Sequence, residues 1–204
     1  VRAMLQPMQR FSSVASTKCM NGTTQFDGAL ITTAVAGINI TAAAINLNST
    51  INTTAGLGVT TFVNTGALTI GAGGDITSGG AFDQSGGGTV STAGDITTTN
   101  AAIGFADPVT LTAAVALSSG AGAGTITFGG TLLGTQTLSL TAGSGNIDFD
   151  GIVGATPLGA VTIVSAGNVT ADAAFSAASL VQSAGTGTTQ FDGALITTAV
   201  AGVN

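Results

Sequence analysis

Sixteen residues, GTTQFDGALITTAVAG, run from Gly22 to Gly37 and again, unchanged, from Gly187 to Gly202, an offset of 165 positions. The likeness carries one step further, with Ile38-Asn39 answered by Val203-Asn204. A sequence that returns to its own motif is the mark of a modular array, in which each unit buries its apolar face only by stacking on its neighbours. No polar capping segment follows the second copy, so the ends of the array are where function is expected.

Eight divisions of the offset give about 20.6 residues per turn, and internal motifs recur near that step. Phe128-Gly-Gly130 is followed 21 residues later by Phe149-Asp-Gly151, and Phe26-Asp-Gly28 and Phe191-Asp-Gly193 share the pattern. These four Phe are expected to point inward at equivalent corners as core filling. Their partner glycines Gly28, Gly130, Gly151 and Gly193 mark the turns. A second marker, Gly-Asp/Asn-aliphatic, occurs at Gly74-Asp75-Ile76, Gly94-Asp95-Ile96, Gly145-Asn146-Ile147 and Gly167-Asn168-Val169. Asp and Asn suit corners because they tolerate positive φ and bond neighbouring backbone. A third echo links Phe82-Asp-Gln84 with Leu180-Val-Gln182.

Between these corners apolar residues alternate with Thr, Ser and Asn in short runs, as in Val109-Thr-Leu111-Thr and Leu138-Ser-Leu140-Thr, which predicts strands. The expected fold is all-β: a parallel right-handed β-solenoid of about eight to nine turns, roughly 20–21 residues each. Val, Ile, Leu, Ala and Phe should form inward ladders, with Thr, Ser and Asn outside. A two-sheet sandwich is the competing fold, disfavoured by the near-regular spacing. Two parts are expected, a distinct N-terminal segment over 1–21 and the solenoid over 22–204.

Composition removes several functions. Arg2, Arg10 and Lys18 are the only basic residues, so nothing after Met20 can neutralise phosphate, which excludes a nucleic-acid surface. The apolar runs are too short for a membrane helix, and a chain without Trp or Tyr lacks the aromatic girdles of a membrane barrel. Gly lacks a three-residue period, which excludes collagen. Cys19 is single and cannot staple the chain; the Lys18 before it does not fit a lipid-attachment motif. The segment after Arg2 is broken by Gln6, Pro7 and Gln9 and does not read as a signal peptide.

The stretch from Gly120 to Ala171, with TITFGGTLLGTQTLSLTAGSGNIDFDGIVGATPLGAVTIVSAGNVTA at its heart, resembles repeats of large bacterial surface proteins related to filamentous haemagglutinin and autotransporter passengers. The resemblance extends roughly over Gly22 to Asn204. It implies a secreted or surface-held solenoid serving as adhesin stalk, biofilm matrix component or fibre.

The reactive inventory is thin. All nine acidic residues are Asp, and His and Glu are absent. Asp148 and Asp150, two apart and so on one face of a strand, have the spacing of a glycosidase pair, but no basic residue of the repeats can hold an acidic sugar. Gly71-Ala-Gly-Gly-Asp75 is close to a calcium-binding nonapeptide corner without its full spacing. The Thr pairs Thr110/Thr112, Thr125/Thr127 and Thr135/Thr137 lie 15 and 10 residues apart and cannot form the one-per-turn row of an ice-binding face. Sequons such as Asn39-Ile-Thr41 and Asn168-Val-Thr170 follow from an Asn- and Thr-rich surface. The reading is a non-enzymatic structural protein with no metal and no cofactor.

Its expected partner is itself, in an extracellular head-to-tail homopolymer, with glycans or other cells as further partners. Leu30, Ile31, Leu195 and Ile196 are candidates for edge contacts, and Arg2, Arg10 and Lys18 for meeting the acidic surface of the next subunit. The alternative is a passive stalk of a giant adhesin that presents a binding domain lying outside these residues.

Overall fold

In a computed structural model, residues 3–5, 9–11, 15–200 and 202–204 are described, with side chains from Gly22 onward. They form a parallel β-solenoid of about eight turns with almost no helix. Every named strand pairs in parallel with strands of the turns above or below it. Three faces repeat in each turn. The first carries Thr60–Asn64, Phe82–Ser85, Ile103–Phe105, Ile126–Phe128, Ile147–Phe149, Val169–Ala171 and Thr189–Phe191. The second carries Leu68–Ile70, Val90–Thr92, Val109–Leu111, Phe175–Gln182 at its start, and Leu195–Thr197. The third carries Leu30–Thr32, Ile51–Asn52, Ile76–Ser78, Ile96–Thr98, Val115–Ser118 and Leu138–Thr141.

Strands of three or four residues follow from the sequence: two inward aliphatics flank one outward Thr or Ser, and Gly, Asp or Asn then bends the chain. Their alternation of buried and half-buried residues matches the expected pattern. The turn is longer than expected. Seven turns carry Ile38 to Thr189, an average of about 21.6 residues, with single steps from 19 (Val90 to Val109) to 25 (Ile51 to Ile76). The longest step holds the short 3-10 helix Thr54–Gly56.

A column of Phe rings fills the core. Phe62, Phe82, Phe105, Phe128, Phe149, Phe175 and Phe191 touch in sequence, one from each turn, with centroids 5.2–5.8 Å apart. Five of them share one register position on the first face. Where that position holds Gln84 or Ala171, Phe82 from the neighbouring position, or Phe175 from the second face, supplies the ring. Phe26 corrects the expectation of equivalent corners: it is buried but lies on the second face against Leu47, outside the column. Of the partner glycines, Gly151 shows the constraint most clearly, since a Cβ there would stand 2.5 Å from the carbonyl oxygen of Gly130 one turn below.

The Asp and Asn corners bond the next turn rather than their own loop. The Asp75 carboxylate accepts from the Asp95 amide at 2.9 Å, and Asp95 accepts from the Ala116 amide at 2.7 Å. Asn146 accepts from the Asn168 amide at 3.0 Å, and Asn168 from Thr188 at 2.8 Å. The first pair precedes the third face and the second pair the first face, so the two sets are not one ladder. Gln84 and Gln182, expected to be equivalent, likewise lie on different faces.

The boundary expected at residue 21 is not a backbone break. The strand Ala15–Phe26 runs through it, and Ala3–Leu5 and Gln9–Phe11 pair with Thr24–Phe26 and Leu30–Thr32 as further rungs. Arg2 lies outside the described residues, and of Arg10 and Lys18 only the backbone is described.

Candidate functional site: the open edge of the last turn

The two identical blocks do not occupy equivalent places. In the lower copy Phe26 lies on the second face, paired with Leu47, and Leu30 on the third, paired with Ile51. In the upper copy Phe191 lies on the first face, paired with Ala171, and Leu195 on the second, paired with Phe175. The displacement continues beyond the blocks: Ile38 follows onto the first face, whereas Val203 bridges to Leu180 on the third. At about 21.6 residues per turn an offset of 165 is roughly seven and two-thirds turns, which is one face short of eight.

Local structure is nevertheless retained. Gln25 donates to Asp27 at 2.7 Å, as Gln190 does to Asp192. The amide of Gly37 donates to the Ala34 carbonyl at 3.0 Å, as Gly202 does to Ala199 at 3.1 Å. Both glycines have positive φ, +70° and +58°. The block is a self-contained two-strand corner, and the three faces are alike enough to receive it in either position.

What differs is the cover above it. Phe26 and Leu30 are buried under Leu47 and Ile51, and a Cβ on Gly37 would stand 1.9 Å from the Val59 carbonyl of the next turn. Phe191 and Leu195 are only half-buried, Ile196 is 51% exposed, and nothing lies closer than 3.8 Å to the Cβ position of Gly202. A cleft of about 360 Å³ opens there, lined by Leu180, Gln182, Thr189, Phe191 and Val203 among others. Among the described residues no strand pairs with the upper edge of 189–197. Of the candidate edge residues, Leu195 and Ile196 lie at this open surface, while Leu30 is inside the solenoid and Ile31 is half-buried.

Two features were not anticipated. Hydroxyls line the inside of the corner after the third face: Thr32, Thr53, Ser78, Thr98 and Ser119 stack turn on turn, all buried. The Thr53 and Ser119 hydroxyls each donate at 2.6 Å, to the Gly58 and Gly124 carbonyls. The signal was legible as aliphatic-x-Thr/Ser recurring at the step, in Leu30-Ile-Thr32, Ile51-Asn-Thr53, Ile76-Thr-Ser78, Ile96-Thr-Thr98 and Leu117-Ser-Ser119. Buried amides form the second: Gln84 donates to Asn64 and to Asp107, each at 2.8 Å, tying three turns together. Thr24, whose buried hydroxyl has no hydrogen-bond partner among the described residues, contrasts with its copy Thr189, which donates to Gln182 at 2.7 Å.

Asp148 projects outward from the first face, and partial burial, with like charge from Asp150 and Asp172, pushes its carboxyl above the usual range despite a bond from Thr170. No group of three potential metal ligands is found among the described residues. No helix among them is long and apolar enough to cross a membrane.

The fold thus places the chain among parallel β-solenoid repeat proteins. No family model, curated protein or solved structure matches it.

Proposed function

We propose that the chain is a structural protein whose solenoid units stack end to end into an extracellular fibre serving adhesion or a matrix. The observation that carries this reading is the parallel stack itself, in which each turn is the template for the next and an aromatic column from Phe62 to Phe191 runs along the core. An open parallel edge over an apolar cross-section is the template for another rung, and an added turn covers both at once. Small side chains, outward Thr and Ser and an excess of Asp keep the flanks of the stack hydrated. Extracellular location, cell-surface attachment and contacts with glycans or other cells follow the resemblance to bacterial surface repeats. The reading assigns no catalysis, because the exposed Asp residues have no basic or His partner in the repeats.

Electron microscopy of the purified protein tests this. Filaments with a subunit rise of about 46 Å, nine to ten rungs on each face at 4.8 Å, are expected. A protein that remains monomeric at high concentration overturns it. A rod within a longer adhesin is the second reading. The 165-residue recurrence favours it, because a covalently joined unit would continue the solenoid just as a separate subunit would. Unbroken backbone density through successive units distinguishes it from the homopolymer.

A further inference from the structure

We infer that the corner joining the third face to the first is a side-by-side contact surface for a second copy of this chain, anchored on Leu57. The inference goes beyond end-to-end stacking and does not depend on it.

The nine Asp residues are not spread evenly around the axis. Asp27, Asp75 and Asp95 stand between the second and third faces, and Asp107, Asp150, Asp172 and Asp192 between the first and second; Asp83 and Asp148 lie on the first face itself. The remaining corner comprises residues 33–37, 54–59, 79–81, 99–102, 119–125, 142–146, 166–168 and 183–188. Among the described residues it carries no charge on any turn from Thr33 upward. Since nothing after Met20 is positive, two copies that meet through the other corners set carboxylate against carboxylate or bury one against a neutral surface. Contact through the uncharged corner of both copies does neither.

Apolar side chains stand at the lower end of that corner. Val35, Leu57 and Val59 are 80, 66 and 39% exposed. Their loops are stacked: a Cβ on Gly58 would stand 2.4 Å from the Cα of Gly37, and one on Gly80 would stand 3.0 Å from a Val59 methyl. The loop that carries Leu57 is tied down. The Asn52 side chain accepts from the Thr54 amide at 3.0 Å and hydroxyl at 2.7 Å, and the Thr53 hydroxyl donates to the Gly58 carbonyl at 2.6 Å across the base of the loop. Leu57 has φ +53°, a left-handed conformation disfavoured for a bulky side chain, whereas Asn100, at the same corner with φ +55°, is a residue suited to it. A rigid loop that sets an apolar side chain outward against its backbone preference is the arrangement of an interface anchor. A two-fold axis parallel to the solenoid sets Leu57 against Leu57, and the Gly and Ala of the turns above let the two backbones approach. Three such side chains fall short of the roughly 800 Å² per partner of a stable interface, so one pair of rods holds weakly and the contact strengthens with the number of turns that overlap.

Disulfide trapping, which registers weak contacts, tests this on the full chain in a Cys19→Ser background. Ala55→Cys places a thiol beside Leu57, and Ala114→Cys places one near Asp95 on an acidic corner; both positions are exposed. With each rate divided by that of the same thiol toward a small neutral disulfide, Ala55→Cys is expected to form covalent dimers about tenfold faster than Ala114→Cys. Adding Leu57→Asp to Ala55→Cys should abolish that advantage, and Asp suits the left-handed position better than Leu, so the loss is not one of folding. Adding Ala114→Asp to Ala55→Cys instead, the same charge on an acidic corner, should change the rate less than about twofold. Equal normalised rates at 55 and 114, or equal effects of the two Asp substitutions, overturn the inference. Filaments with equal rates would leave end-to-end assembly standing without this surface, whereas a fast cross-link at 55 without filaments would establish the surface and remove the end-to-end reading.

Discussion

The lower and upper halves of the solenoid solve the same cross-section differently. From Thr24 to Ser119 ten polar side chains lie buried, among them the hydroxyl ladder, Asn64 and Gln84. Above Ser119 only Ser179 does so among the described residues, and the ladder continues as Ala142 and Ala166. The reason lies at the corner. Below, hydroxyls reach the inward carbonyls of Gly58, Ala81, Ala101 and Gly124. Above, the backbone closes the corner on itself, with the Gly145 amide donating to the Ala142 carbonyl at 2.7 Å, and no internal donor is required. The upper half carries its polar strain outside instead, where Asp148, Asp150 and Asp172 crowd one flank. A stacked fold fixes the number of inward positions but leaves open whether a corner is satisfied by side chain or by backbone.

The largest effect is expected where neither half has an alternative. Phe128 stacks between Phe105 and Phe149 at 5.6 and 5.3 Å with rings nearly parallel, and is fully buried. Phe128→Ala should cost about 3–5 kcal/mol, since rungs held by parallel ladders cannot collapse into the void. Phe191→Ala, half-exposed at the edge, should cost less than half as much. Urea denaturation of both variants checks this, and equal losses would mean that the column does not act as a continuous core.

Next comes a change confined to the lower half. Gln84→Leu keeps the volume but leaves the Asn64 side-chain oxygen buried without its donor and removes a bond to Asp107, at a cost of about 1–3 kcal/mol. The apolar counterpart in the upper half, Leu140→Met, should cost less than about 1.5 kcal/mol. Were Gln84→Leu the milder of the two in the same denaturation experiment, the buried amides would be incidental to stability.

Most of the architecture could be read from residues such as Val109-Thr-Leu111, because alternation and a near-constant step are all that a solenoid strand needs. Equivalence between turns was less legible. Phe26 and Phe191 stand in identical sixteen-residue contexts and yet on different faces, since face is decided by the accumulated length of every intervening corner, including the additional residues at Thr54–Gly56. The hydroxyl ladder escaped because Thr and Ser are polar β-formers suited to either side of a strand; only the carbonyls inside the corner make Thr53 an inward residue. The recurring block itself was legible, but the displacement of its second copy by one face needed the register of Phe26 against Leu47 and of Phe191 against Ala171.

The smallest effect sharpens the contrast from the upper half's exterior. Partial burial raises the Asp148 carboxyl above its ordinary value, with Asp150 and Asp172 adding repulsion and Thr170 opposing the shift through its hydrogen bond. A group whose folded pKa lies above its unfolded one favours the fold most when protonated, and that contribution disappears as pH rises through the folded value. Near neutral pH Asp148 is therefore an ionised group that the fold resists. Asp148→Asn removes the charge and keeps an oxygen for Thr170, so the variant should melt slightly above the parent at pH 7, with the difference closing toward about pH 3, where the parent carboxyl is protonated in both states. Thermal melts of the two proteins across that range measure it, and the gap between variant and parent cancels the titration of the eight other Asp residues they share. A variant that melts lower at every pH would show that the Asp148 charge is matched by its surroundings, leaving the upper half without the external strain that sets it apart from the lower.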